Sequence, residues 1–122
     1  MGGRGTFASG IVVPYTFNTV GFIDGMKILE GIDGAHGLPA EAHSSRAYVQ
    51  RLANGNVKAI RFYDKNHRPR FEVANHPEKK LDPTGKNVLH YHIIHGDIAK
   101  RSEAKPLTEA MRRRFSKYFK EG

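Results

Sequence analysis

RAYVQRLANGNVKAIRFYDKNHRPRFEVA, residues 46 to 74, holds three apolar and aromatic runs divided by two polar turns. Asn54-Gly55 between RAYVQRL and VKAIRFY is a hairpin signal, because both central turn residues must adopt φ > 0. Asp64-Lys65-Asn66-His67 is a second turn of residues that tolerate such backbones, and it leads into RFEVA as a third strand. Pro69 falls at that strand's start, where a sheet accepts a residue without an N–H. After a polar stretch from Asn75 to Asn87, VLHYHII at 88–94 supplies a fourth strand. The expected fold is therefore α+β: an antiparallel β-meander of about four strands packed against a C-terminal amphipathic helix.

Outward from this core the pattern is weaker. Residues 11 to 32 hold GFI and MKIL on either side of Asp24-Gly25, which predicts a further hairpin; a short helix from Met26 to Glu30, closed by Gly31, is the rival reading. Gly34 to Ser45 reads as a connecting loop, and MGGRGTFASG, residues 1 to 10, as a flexible glycine-rich leader before a single domain at 11–122. Gly2 and Thr6 of that leader also fit a myristoylation pattern. At the other end, PLTEAMRRRFSKYFKEG predicts a helix with Pro106 in its first turn. At 100° per residue Leu107, Ala110, Met111, Phe115, Tyr118 and Phe119 gather on one half. Arg112, Arg113, Lys117 and Lys120 take the other half, and Arg114 falls within the apolar stripe, snorkelling from its rim or aimed at a site on the sheet.

Charge points to the partner. The chain has 122 residues, 20 Lys and Arg against 12 Asp and Glu, and a net charge of +8, so polyanions are favoured and nucleic acid, RNA before DNA, is the first candidate. Residues 98 to 122 alone carry eight basic and three acidic residues. With no cysteine, disulfides and thiolate metal sites are excluded. No apolar run approaches the roughly 20 residues of a membrane span, and no signal-peptide layout opens the chain, so a cytoplasmic protein without a membrane partner is expected. Phosphate-binding loops, dinucleotide glycine fingerprints and serine-nucleophile elbows are missing as well, and no cofactor is implied.

Chemistry concentrates in VLHYHIIHGD, residues 88 to 97. Strand alternation puts Val88, His90, His92 and Ile94 on one face and Leu89, Tyr91 and Ile93 on the other, with His95 beyond. Two adjacent imidazoles can share RNA cleavage, one taking the 2′-hydroxyl proton and one protonating the 5′ leaving oxygen. His90 and His92 are the candidate acid and base of a metal-independent endoribonuclease. A cation is needed for the phosphate in the transition state, and Lys86, Arg61, Arg70, Arg113, Arg114 and Lys117 are candidates. In RFYDKNHRPRF, residues 61 to 71, Tyr63 could stack an unpaired base while Arg61 and Arg70 hold phosphates, with Phe62 and Phe71 facing the core.

Other readings fit the same residues. His90 and His92 could form a metal half-site completed by His76 and Glu78 of NHPE, line a binding groove without catalysis, or decorate a solvent-facing strand. In a non-enzymatic accessory or structural protein, the basic helix would bind nucleic acid or an acidic protein partner.

The GGRG leader, the IRFYDKNHRPRFEV hairpin followed by NHPE, and the VLHYHI strand, in that order, look like small proteins of phages and mobile elements. By analogy these resemble the barnase, EndoU, colicin tRNase and RelE group of metal-independent ribonuclease folds. The resemblance implies an antiparallel sheet on helices, a toxin-like role with an inhibitor or phage protein as partner, and chemistry by two histidines and a lysine. Here His90 and His92, with Lys86, match those parts. The N-terminal helices of such folds have no counterpart in the glycine-rich 11–45 stretch.

Overall fold

A computed structural model of the chain describes residues 17–31, 38, 39, 42, 46–52 and 55–119. The leader, Gly2 and Thr6 lie outside them. The strands are β1 Phe17–Ile23, β2 Met26–Gly31, β3 Ala47–Arg51, β4 Val57–Tyr63, β5 Pro69–Pro77, β6 Asn87–Ile93 and β7 Lys105–Pro106. They form one seven-stranded sheet in sequence order. Neighbours are antiparallel except β2 and β3, which run parallel with Ile28 opposite Val49. This corrects the expected four-stranded meander.

Each departure has a local reason. Asp24 (φ 47°) and Gly25 (φ 81°) make the tight turn that closes β1 onto β2, so Met26 to Glu30 is strand and not helix. Parallel pairing of β2 with β3 requires a crossover, and residues 32–46 are long enough to make one. Leu38, Pro39 and Ala42 from that connection are buried, and the Ala42 N–H donates to the His67 carbonyl at 2.8 Å. At the far edge Pro106 is not a helical residue. It lies in β7 opposite His90, an edge position where its missing N–H leaves no ladder bond unmade.

The helix is correspondingly short. α1 spans Glu109–Phe115 and a 3-10 turn continues it over Ser116–Tyr118. Thr108 caps it, its hydroxyl accepting from the Met111 N–H at 3.2 Å. Leu107, Phe115 and Phe119 of the expected stripe are buried, Met111 and Tyr118 half-buried, and Ala110 exposed. Arg114 is exposed, its guanidinium carbon 5.2 Å from the Phe115 ring centroid.

Alternation gives the sheet two covered faces. On the helix face Ile28, Val49, Ile60, Val73 and Leu89 pack with Leu107, Phe115 and Phe119. Phe62 and Phe71 join this face, as expected, with ring centroids 5.8 and 6.1 Å from that of Phe115. Such contacts add about 0.5–1.5 kcal/mol per aromatic pair beyond area burial. On the opposite face Leu29, Tyr48, Ala59, Tyr63 and Ala74 pack with Leu38 and Ala42 of the crossover. The histidines of β6 belong to this second face.

Candidate functional site: a buried histidine row

Pairing across β4, β5 and β6 brings Arg61, Glu72 and His92 onto one rung, with Ala59, Ala74 and His90 on the next. Directly paired residues of antiparallel strands point to the same side. Arg61 Nε donates to Glu72 Oε1 at 2.6 Å, and its Nη1 donates to the carbonyls of Leu38 (2.9 Å) and Pro39 (3.1 Å). The Tyr63 hydroxyl donates to the same Pro39 carbonyl at 2.5 Å. Arg61 and Tyr63 are both buried, and burial pushes the Tyr63 phenol well above its ordinary range. Their polar atoms hold the crossover onto the sheet, so neither offers a charge or a stacking ring to solution.

His90 is 0% exposed and His92 4%. Their ring centroids lie 5.2 Å apart with planes at 86°, and the His76 ring follows 4.6 Å from that of His90. Each ring is anchored the same way: Nδ1 of His90 meets the Val88 carbonyl at 2.8 Å, of His92 the Ser102 carbonyl at 2.8 Å, and of His76 the Pro77 carbonyl at 3.0 Å. A carbonyl only accepts, so the proton of each neutral ring sits on Nδ1 and the lone pair on Nε2. The Nε2 atoms of His90 and His92 are buried and have no hydrogen-bond partner among the described residues.

The pair therefore turns two Nε2 atoms away from the anchored Nδ1 atoms. Burial holds the His90 imidazole below its ordinary pKa, and the neighbouring His76 and His92 push the same way. The hydrogen bond to the Val88 carbonyl opposes the shift, with an effect second only to burial, and Glu78 opposes it most weakly. No group of three or more His, Asp or Glu side chains among the described residues is placed to hold a metal ion, and His76, Glu78, His90 and His92 are not an exception.

The other site residues fall in three places. Arg70 is exposed at the end of the histidine face, next to the β5–β6 rungs, and Lys86 is exposed just before β6. Arg113 and Arg114 on α1 and Lys117 on the following 3-10 turn are exposed, across the sheet from the histidines. Two of these are already engaged: Arg113 with Glu109 at 2.7 Å and Lys117 with Asp24 at 3.6 Å. Sequence reasoning passed over Glu72, which shares a rung with His92, and Ser102, whose carbonyl orients His92. A carboxylate at an alternating position of β5 was a legible signal for the first. Nothing local signals the second, ten residues from the ring it holds.

Comparison with protein-family models, with curated proteins and with solved structures gave no match. Among the described residues no helix is long and apolar enough to cross a membrane.

Proposed function

We propose that this chain binds nucleic acid, RNA before DNA, as a phage-borne or toxin-like protein of the bacterial cytoplasm. One observation carries the reading: among the described residues most carboxylates, Glu30 and Glu78 apart, are engaged in ion pairs or hydrogen bonds, while many cations are not. Glu72 is taken by Arg61, Glu109 by Arg113, Asp24 by Tyr118 and Lys117, and Glu103 lies 3.8 Å from Lys80. Asp64, Asp82 and Asp97 accept from turn N–H groups. Lys79, Lys100, Arg101 and Lys105 are exposed and form no ion pair with a carboxylate among the described residues, and the exposed Lys86 has only Asp82 near it there. That surplus attracts a polyanion, and each phosphate contact releases counterions. Fluorescence anisotropy with a labelled single-stranded RNA, from about 50 to about 200 mM salt, should show tight binding that salt weakens steeply. No binding at the low-salt end would end the reading.

A second reading, metal-independent RNA cleavage by His90 and His92, is favoured by the anchored Nδ1 and unengaged Nε2 atoms of both rings. Such a base can take a 2′-hydroxyl proton only where substrate reaches it, so cleavage requires the cover over these rings to lift. Total tRNA incubated with excess EDTA, beside a His90→Ala, His92→Ala double variant, decides. Cutting by the native chain alone supports catalysis, whereas equal binding without cutting leaves a binding protein.

A further inference from the structure

The sheet places a pair of arginines where the histidine face meets solvent. Phe71 pairs with Ile93, and the next step of the same register sets Arg70 beside Ile94, whose N–H donates to the Arg70 carbonyl at 2.9 Å. On its other side Ile94 bridges Arg101 in antiparallel fashion. Arg70 on β5 and the bridged Ile94 and Arg101, just beyond the end of β6, thus form one row. Alternation from His90 and His92 puts the row on their face.

Distances follow from sheet geometry. Neighbouring strands are about 4.8 Å apart, so the two arginine backbones straddle β6 at about 10 Å, and Ile94 lies about 7 Å along the chain from His92. Ile94 is fully buried while the Arg70 side chain is 54% exposed and Arg101 is exposed. Among the described residues the one carboxylate paired with Arg70 is that of Asp64, with Oδ2 at 4.0 Å and Oδ1 accepting from the Asn66 and Arg68 N–H groups. Arg101 has no carboxylate partner among the described residues. Gly96 closes the row with φ 81°, and a Cβ there would sit 3.9 Å from Arg70 Nη1.

We propose that Arg70 and Arg101 clamp the phosphodiester backbone of a single-stranded nucleic acid across the end of β6. The inference rests on the nucleic-acid-binding reading and locates it: the gripping surface is the histidine face, not α1. Each planar guanidinium can take a phosphate through two parallel N–H donors, a geometry that an ammonium cannot copy. A strand held there lies one rung from His92. The helix cations cannot supply that, because the sheet itself stands between.

The test compares three proteins with the same labelled single-stranded RNA: the native chain, Arg70→Gln/Arg101→Gln, and Arg113→Gln/Lys117→Gln. Both pairs of positions are exposed, and circular dichroism confirms that each variant is folded. The clamp variant should lose about tenfold or more in affinity, and its slope of log K against log salt should flatten by about 1.4, two phosphates at ~0.7 each for a single strand. The helix variant should change by less. Arg70→Lys/Arg101→Lys should recover the salt slope but not the full affinity. An unchanged clamp variant, or equal losses in both double variants, overturns the clamp while RNA binding stands. A native chain that fails to bind RNA at low salt removes the binding reading and the clamp with it.

Discussion

Arg61 and Glu72, opposite each other on β4 and β5, form a 2.6 Å ion pair whose side chains are 8% and 6% exposed. The guanidinium also holds two carbonyls of the crossover, which makes this pair the joint between the sheet and its second cover. Removing one partner leaves a buried charge without compensation, a loss of about 3–5 kcal/mol. Glu72→Gln and Arg61→Met should each lower the urea midpoint strongly. The double replacement Arg61→Met/Glu72→Leu should cost less than the two single effects added together, and strict additivity in that cycle would deny the coupling.

Tyr63 gives a milder version of the same joint. Its hydroxyl is one of two donors to the Pro39 carbonyl, so Tyr63→Phe leaves the acceptor satisfied by Arg61. The expected loss is about 0.5–1.5 kcal/mol in urea unfolding. Nucleic-acid affinity should stay at the native value, since the ring packs edge-on against Tyr48 at 5.4 Å and does not reach solvent. A drop in RNA affinity with unaltered stability would restore a stacking role.

Much of the histidine row was legible because strand alternation is a local rule. His90 and His92 share a face, Leu89 and Tyr91 take the other, and the turn at Asp64 to His67 joins two of the strands the pattern implied, while Asn54 of the other expected turn lies outside the described residues. What lay beyond local rules was cover. The parallel β2–β3 pairing depends on a crossover whose anchors, Leu38 and Ala42, sit in a stretch with no periodicity. β7 is two residues long and contains proline, so no pattern could announce it. For the same reason the chain alone could not say which face α1 would take, and that choice separates Arg113 and Lys117 from the histidines. Arg61 and Tyr63 looked available because their residue types bind phosphates and bases; burial by a distant segment redirected them.

The C-terminal turn is tied back to the first hairpin. The Tyr118 hydroxyl donates to Asp24 Oδ2 at 2.7 Å, and this bond, with the Lys117 ammonium at 3.6 Å, holds the Asp24 carboxyl below its ordinary pKa. A carboxyl depressed in the folded chain contributes stability above its ordinary pKa of 3.8, lost as pH falls through the folded value. Asp24→Asn keeps a residue suited to the left-handed turn but removes the charge. Amide exchange at Phe119, whose N–H bonds the Ser116 carbonyl, should quicken in that variant near neutral pH and match the native chain in strong acid. Native-like exchange at neutral pH would show that the turn holds without Asp24.

His90 sets the behaviour in mild acid. Its imidazole is fully buried and its pKa lies below the ordinary 6.5 because burial disfavours the charged ring. The unfolded chain then binds the proton first, so stability falls as pH drops through about 6.5 and continues to fall until the folded pKa is passed. Glu78 attracts the charged ring only weakly, the Glu72 carboxylate is engaged by Arg61, and His76 and His92 would repel it. Urea unfolding at about pH 7.5 and about pH 5.5 should therefore show a marked loss for the native chain. His90→Asn retains a side-chain donor for the Val88 carbonyl and removes the titration. It should start from a lower midpoint, because a 0% exposed ring is replaced by a smaller group, yet show the shallower decline with acid. An equally steep decline in His90→Asn would move the acid sensitivity to another group and leave the buried imidazole a packing residue only.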